Sequence, residues 1–186
     1  MREHLLVTAV GEDRPGIVAR LAEVFAGHGA NLEESRMSIL GGEFAAIALI
    51  TLPAQNIDAL LRDLEKLKNE AITVSTKATK PLSTDRFDGY VSYEINLRGA
   101  DHEGIVHHVA SYLKESGINI ESMDTSVKPA PETGTPLFNL KAYITVPPSH
   151  EFEKLNAKLL EIGRAQSVDI ELKPTSGKAA RVALGR

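Results

Sequence analysis

The sequence contains no cysteine and no tryptophan. The first absence removes disulfides, thiol nucleophiles, thiolate-bound zinc and iron–sulfur clusters together. The second, with aromatic residues at only 5%, calls for an aliphatic core. No apolar run approaches the roughly 20 residues of a membrane-spanning helix. The opening Met1-Arg2-Glu3-His4 leads straight into a strand-like run rather than a basic segment followed by a long apolar one, so no signal peptide is expected. Basic charge is not in excess: 21 Lys and Arg against 25 Asp and Glu leave −4, the wrong balance for binding nucleic acid through phosphate neutralisation. The G-x-S-x-G, H-E-x-x-H, P-loop and G-x-G-x-x-G patterns are also missing. These absences together predict a cytoplasmic chain with no membrane association, no direct contact with nucleic acid and no cofactor.

What the chain does contain is a repeat. A shift of 88 residues superposes Gly11, Asp13, Gly16, Ile17, Val18, Ala22, Gly29, Asn31, Glu33 and Ser38 on Gly99, Asp101, Gly104, Ile105, Val106, Ala110, Gly117, Asn119, Glu121 and Ser126 without a gap. Farther on the shift becomes 94, aligning Phe44, Ala48, Ile50, Thr51 and Pro53 with Phe138, Ala142, Ile144, Thr145 and Pro147. The change of register is a longer loop in the second copy, residues 128–136. Two homologous domains follow: residues 1–77, a polar linker over 78–89, residues 90–173, and a flexible basic tail over 174–186.

Each copy carries the same series of patterns. An apolar run at 5–10 corresponds to the alternating Val91, Tyr93, Ile95 and Leu97, a period of two that predicts a strand. A helix follows, with Pro15 suited to its first turn, Asp13 near its N-terminus and Gly29 at its end. Its apolar stripe is Ile17, Val18, Leu21, Val24 and Phe25, echoed by Ile105, Val106, Val109 and Leu113. Two runs joined by Gly41-Gly42 predict a β-hairpin. A second helix starts after Asn56 and presents Ile57, Leu60, Leu61, Leu64 and Leu67; its counterpart presents Phe152, Leu155, Leu159 and Ile162. Final strands lie at 72–76 and 168–172. The order β-α-β-β-α-β is the ferredoxin-like unit, an α+β fold with both helices on one face of an antiparallel sheet.

One asymmetry stands out between the copies. Asn139, Lys141, Tyr143 and Thr145 alternate with apolar residues and predict a wet face, whereas Ala45, Ile47 and Leu49 occupy the equivalent positions in the first copy. The helix-free face of the first domain is therefore expected to be covered, by the other domain or by a second chain, as in a homodimer.

The repeated polar positions are the candidate site. Gly11 to Val18 and Gly99 to Val106 each lead from a strand into a helix start, where unpaired N–H groups and the helix dipole suit a carboxylate. Gly16 and Gly104 allow close approach to the backbone, Asp13 and Asp101 can accept from an ammonium group, and Asn31 and Asn119 offer both donor and acceptor. His102, His107 and His108 cluster with Asp101 and Glu103, but neighbours on a helix diverge, so a metal site is not expected there.

The motifs D-R-P-G-I-V at 13–18 and G-A-N-L at 29–32, with the copies D-H-E-G-I-V and G-I-N-I, resemble the ACT domain, a small-molecule-binding regulatory module. The resemblance covers roughly residues 3–77 and 90–173, and two such domains with nothing else attached resemble the glycine cleavage system transcriptional repressor group. The resemblance implies amino-acid binding at interfaces between domains. The loop role falls on Asp13, Arg14, Gly16 and Ile17, and on Asp101, His102, Gly104 and Ile105; the strand role falls on Asn31 and Asn119. Glu103 stands where the first copy has Pro15 and would repel an anionic ligand, which makes the first copy the preferred site. The subgroup further implies a non-enzymatic regulator that responds to glycine or a similar effector and acts through a separate regulatory or DNA-binding protein. Two other classes stay open on the residues alone: a ligand-independent assembly module, and an acylphosphatase-like hydrolase that would use Arg14.

Overall fold

The computed structural model describes residues 1–80 and 89–175, so most of the expected linker and basic tail, at 81–88 and 176–186, lies outside the described residues. The chain divides into two compact units, Met1–Leu82 and Ser83–Arg186. In unit 1 the elements are β1 (Arg2–Glu12), α1 (Ile17–Gly27), β2 (Asn31–Leu40), β3 (Glu43–Pro53), α2 (Ile57–Lys66) and β4 (Ile72–Thr79). Short 3₁₀ turns flank α2 at Ala54–Asn56 and Leu67–Glu70. Unit 2 repeats the series with β5 (Val91–Ala100), α3 (Ile105–Glu115), β6 (Asn119–Pro129), β7 (Pro136–Val146), α4 (Phe152–Ala165) and β8 (Val168–Pro174).

Each sheet is antiparallel and four-stranded, in the order β2-β3-β1-β4 and β6-β7-β5-β8. This is the ferredoxin-like arrangement expected from the repeat. Leu5, Val7 and Ala9 on β1 and Phe44, Ala48, Ile50 and Leu52 on β3 are buried. Most of them pack with Ile17, Leu21, Val24 and Phe25 of α1 and Leu60 and Leu64 of α2. Ile95, Leu97, Leu140, Ala142 and Ile144 do the same in unit 2 with Ile105, Val109 and Leu113 of α3 and Leu155 and Leu159 of α4. Period-two strands therefore meet period-3.6 helices along one aliphatic layer per unit.

Helix ends and turns follow local chemistry. Gly29, at φ 65°, closes α1 with paired bonds from Gly29 N to the Ala26 carbonyl and from Ala30 N to the Phe25 carbonyl. Gly117 closes α3 in the same way, through Lys114 and Leu113. Gly41 and Gly42 both have positive φ, which lets two residues join Leu40 to Glu43 as a tight hairpin. The second hairpin is longer, but its strands run to Pro129 and from Pro136, shortening the loop to 130–135.

Several boundaries differ from the sequence pattern. Pro15 precedes the helix instead of opening it, because Gly16 at φ 99° sets the helix start at Ile17. Asp13 does not cap α1, and no acidic residue stands in its first turn. Val18 and Val106 leave the buried stripe and are exposed, since residues adjacent to Ile17 and Ile105 point about 100° away on a helix. β4 continues through Ala78 and Thr79, paired with Leu5 and His4, into the segment expected as linker. β8 likewise reaches Pro174, and Thr175 hydrogen-bonds the Ser92 carbonyl.

Strands approach closely at Gly11, where a Cβ would lie 2.6 Å from the Ala71 carbonyl oxygen, and at Gly99, where it would lie 2.5 Å from Val168 Cγ1. Gly11→Ala is expected to destabilise the protein by about 1–3 kcal/mol through forced separation of β1 from the start of β4. Urea unfolding followed by far-UV circular dichroism checks this, with Ala9→Gly as a comparison that removes volume instead of adding it.

Candidate functional site

The loop between β1 and α1 is pinned from two sides. Asp13 N donates to the Gly42 carbonyl at 2.9 Å, tying the loop to the β2–β3 hairpin. Arg14 Nη2 donates to the Glu70 carbonyl at the end of the 3₁₀ turn after α2. Arg20 adds a bond from Nε to Glu70 Oε1 at 2.9 Å, so the same residue anchors the helix start through backbone and carboxylate. The first α-helical bond is Arg20 N to the Gly16 carbonyl. The amides of Ile17, Val18 and Ala19 precede it, and no side chain caps them.

These constraints leave a crevice of about 440 Å³ between the helix start and the outer strand β2. Its floor and walls are Ile17, Val18, Met37, Ile39 and Phe44, and its polar rim includes Asp13, Arg14 and Gly16. Met37 and Ile39 are 42% and 57% exposed, unusual for large apolar side chains on the core-facing side of a sheet, and Val18 on α1 is 47% exposed beside them. A Cβ on Gly16 would meet nothing within 4 Å, so the backbone there is open. The Asp13 carboxylate has no hydrogen-bond or ion-pair partner among the described residues. Of the residues lining the crevice, the sequence pattern singles out Asp13, Arg14, Gly16 and Ile17 as site residues, and not Val18, Met37, Ser38, Ile39 and Phe44.

Unit 2 keeps the frame and changes the surroundings. Asp101 N donates to the Pro136 carbonyl at 3.1 Å. His102 replaces Arg14 in its structural role, with Nε2 2.7 Å from the Gln166 carbonyl and Nδ1 3.0 Å from the Glu103 carbonyl. Both Arg14 and His102, expected to touch a ligand, thus hold the end of the second helix region against the loop. The His108 ring lies 3.7 Å from the point where a Gly104 Cβ would sit, covering the backbone that is open at Gly16. Ile105 is core.

Asn31 and Asn119 are not brought to these loops within their own units. Asn31 pairs with Thr51 and Asn119 with Thr145, whereas the loops sit at the Phe44 and Phe138 ends of the same strands. Seven residues of strand separate the two ends, roughly 23 Å. Helix α1 runs back along that length before β2 begins, which is why residues near in sequence end at opposite edges.

A second cleft, of about 470 Å³, lies on the helix-free face of unit 2, lined in part by Asn96, Arg98, Asp124, Asn139, Lys141 and Asp169. Beside it Glu94 is held at about 2 by hydrogen bonds from Asn96, Tyr143 and Lys141. None of the candidate ligand-binding residues lines it, whereas Asn139 and Lys141 of the expected wet face do. Among the described residues no group of three His, Asp or Glu side chains is placed to share a metal ion.

A duplicated ferredoxin-like chain, each copy turning from its central strand into a left-handed glycine and then a helix, is the class that fold and site define. Residues 3–77 match the ACT domain family. The glycine cleavage system transcriptional repressor of Escherichia coli is 26% identical over 129 residues, 69% of this chain and 67% of that protein. A UPF0237 protein of Methanopyrus kandleri is 37% identical over 67 residues, 35% of this chain and 74% of its own length. Among solved structures, an "unknown protein" from Galdieria sulphuraria superposes with TM-score 0.78 at 30% identity, covering 94% of this chain and 99% of the other. A structure described as a candidate glycine cleavage system transcriptional repressor gives 0.72 at 22% identity, over 95% and 99%, and supports the fold. The chain belongs to the ACT-domain family, as a tandem of two such domains.

His102 provides a pH test of the loop frame. Two carbonyl oxygens face its two ring nitrogens, and only the imidazolium can donate to both. The bonds to Gln166 and Glu103 raise its pKa above 6.5, with Asp101 adding to the effect and desolvation opposing it. A raised folded pKa gives stability that is complete below 6.5 and lost as pH rises through the folded value. His102→Gln is expected to remove that loss, measured as thermal midpoints across pH 5.5–8.5 and by titration of the His102 ring signals.

Proposed function

We propose that this chain is a non-enzymatic regulatory protein that senses a small amino acid and reports its occupancy to a separate protein. The observation that carries the reading is the unit 1 crevice, in which three uncapped helix amides, an unpartnered carboxylate and an aliphatic wall converge. An α-carboxylate would lie at the amides of Ile17, Val18 and Ala19, where the positive end of the helix dipole favours it. An α-ammonium group would donate to Asp13. A side chain would rest on Val18, Met37 and Ile39, so aliphatic amino acids gain a contact that glycine lacks. Arg14 stands on the rim of the crevice and positions the loop through its bond to the Glu70 carbonyl. Asp101, Gly104 and Ile105 form the corresponding but covered place in unit 2, and Asn31 and Asn119 stand outside this proposal.

Regulation would follow as a population shift: a ligand that orders the loop and hairpin in one arrangement favours the form a partner recognises. The Escherichia coli relative's name supports a transcriptional output, and the acidic net charge favours action through a regulatory or DNA-binding partner over direct contact with DNA.

Thermal unfolding against the twenty amino acids tests the reading. An effector at 100 times its Kd should stabilise the folded state by about 2.7 kcal/mol. Asp13→Asn and Met37→Ala are each expected to weaken binding by about tenfold, while Asn31→Ala leaves it unchanged. Loss of binding in Asn31→Ala with Asp13→Asn unaffected would move the site to the opposite end of the sheet.

A further inference from the structure

The two units share one backbone plan and differ on one surface, the sheet face turned away from the helices. In unit 1 the pairing sets four rows across β4-β1-β3-β2: Thr73-Val10-Ala45-Ser38, Ser75-Thr8-Ile47-Arg36, Lys77-Leu6-Leu49-Glu34 and Thr79-His4-Thr51-Asn31. At the six central positions of the first three rows unit 2 carries Arg98, Asn139, Asn96, Lys141, Glu94 and Tyr143. The twin shows that the fold tolerates a polar or charged side chain at every one of these places. Unit 1 nevertheless keeps five aliphatic side chains and a threonine there, with Val10 49% and Ile47 42% exposed. A contiguous aliphatic patch that the fold itself does not require marks an interaction surface.

We propose that this face of unit 1 packs against the same face of a second copy of the chain, about a two-fold axis running along the strands between β1 and β3. Such an axis exchanges β1 with β3, and β4 with β2, within each row. Val10 then opposes the partner's Ala45, and Ile47 opposes the partner's Thr8, so a large side chain meets a small one in both rows. Leu6 opposes the partner's Leu49. At the rim of that row Lys77 meets the partner's Glu34, and the symmetry makes this pair twice. Lys77 is exposed and has no ion-pair partner among the described residues. Glu34 directs Oε1 to Arg36 at 3.2 Å, leaving its other oxygen for a second cation. A two-fold axis across the strands would instead set Lys77 against the partner's Ser75 and leave the lysine unmatched. The charge match thus selects both the occupant and the axis.

Sedimentation equilibrium of the full chain, without added amino acid, tests the proposal apart from the ligand reading. The expected result is a concentration-dependent dimer that Ile47→Lys converts to monomer and that Ser122→Lys, on the corresponding face of unit 2, leaves intact. Glu34→Lys and Lys77→Glu should each raise the dimer Kd by about tenfold or more, and the double variant should return it to within a few-fold of the original. Circular dichroism and thermal midpoints confirm that each variant folds; the four substituted positions are not in the core. A chain that stays monomeric, a dimer that survives Ile47→Lys, or charge reversals that do not compensate would overturn it. Binding of another protein to this face by a monomeric chain would also overturn it.

Discussion

Each unit depends on a central strand hydrogen-bonded along both edges, β1 between β3 and β4 and β5 between β7 and β8. Pairing on two sides leaves the strand no freedom to slip, because a one-residue shift would carry every core side chain to the opposite face. That constraint aims Leu5, Val7 and Ala9 at the helices and Leu6, Thr8 and Val10 away from them. It also fixes where the strand ends, and so where the chain turns through Gly16 into α1. Gly11, beneath the Ala71 carbonyl, lets β4 start close enough for the end of the α2 region to receive Arg14 and Arg20. The crevice is what remains when that turn is held on one side and the hairpin on the other.

The duplication shows which parts of this arrangement are geometric and which are chemical. The His28 carbonyl at the end of α1 accepts a bond from Asn56, and the equivalent Ser116 carbonyl accepts one from His150. Arg14 and His102 likewise share one task with different side chains. In each pair a donor at one position satisfies a backbone carbonyl that the helix end leaves free, and residue identity is secondary. Elsewhere identity is decisive. Arg20 turns toward Glu70 and Glu23 and leaves Gly16 open, whereas His108 at the same position lies over Gly104. One helical residue thereby separates an open crevice from a covered one on the same frame.

The aliphatic alternation, the helix-ending Gly29 and Gly117, and the Gly41-Gly42 turn were legible because each is a local device whose geometry a few residues dictate. The repeat turned those local signals into a fold, since two copies had to satisfy one plan. Pro15 was misplaced because φ 99° at Gly16, not its own preference, sets the helix start. The candidate site was half legible. Asp13, Gly16 and Ile17 lie within five residues of one another, while Met37, Ser38, Ile39 and Phe44 reach them only through the pairing of β2 with β3.

The sequence by itself determined two ferredoxin-like ACT domains, an aliphatic core, the strand-to-helix loops and the contrast between an apolar and a polar sheet face. Each of these is written in residue type and spacing along the chain. Only the tertiary structure decided that Asn31 stands a strand's length from Asp13, that Arg14 and His102 bond backbone carbonyls after the second helix of each unit, and that Val18, Met37 and Ile39 form the wall of a crevice. Those facts depend on register and on how a helix folds back over its sheet. Burial of the whole aliphatic layer selects that geometry, and no short stretch of sequence encodes it.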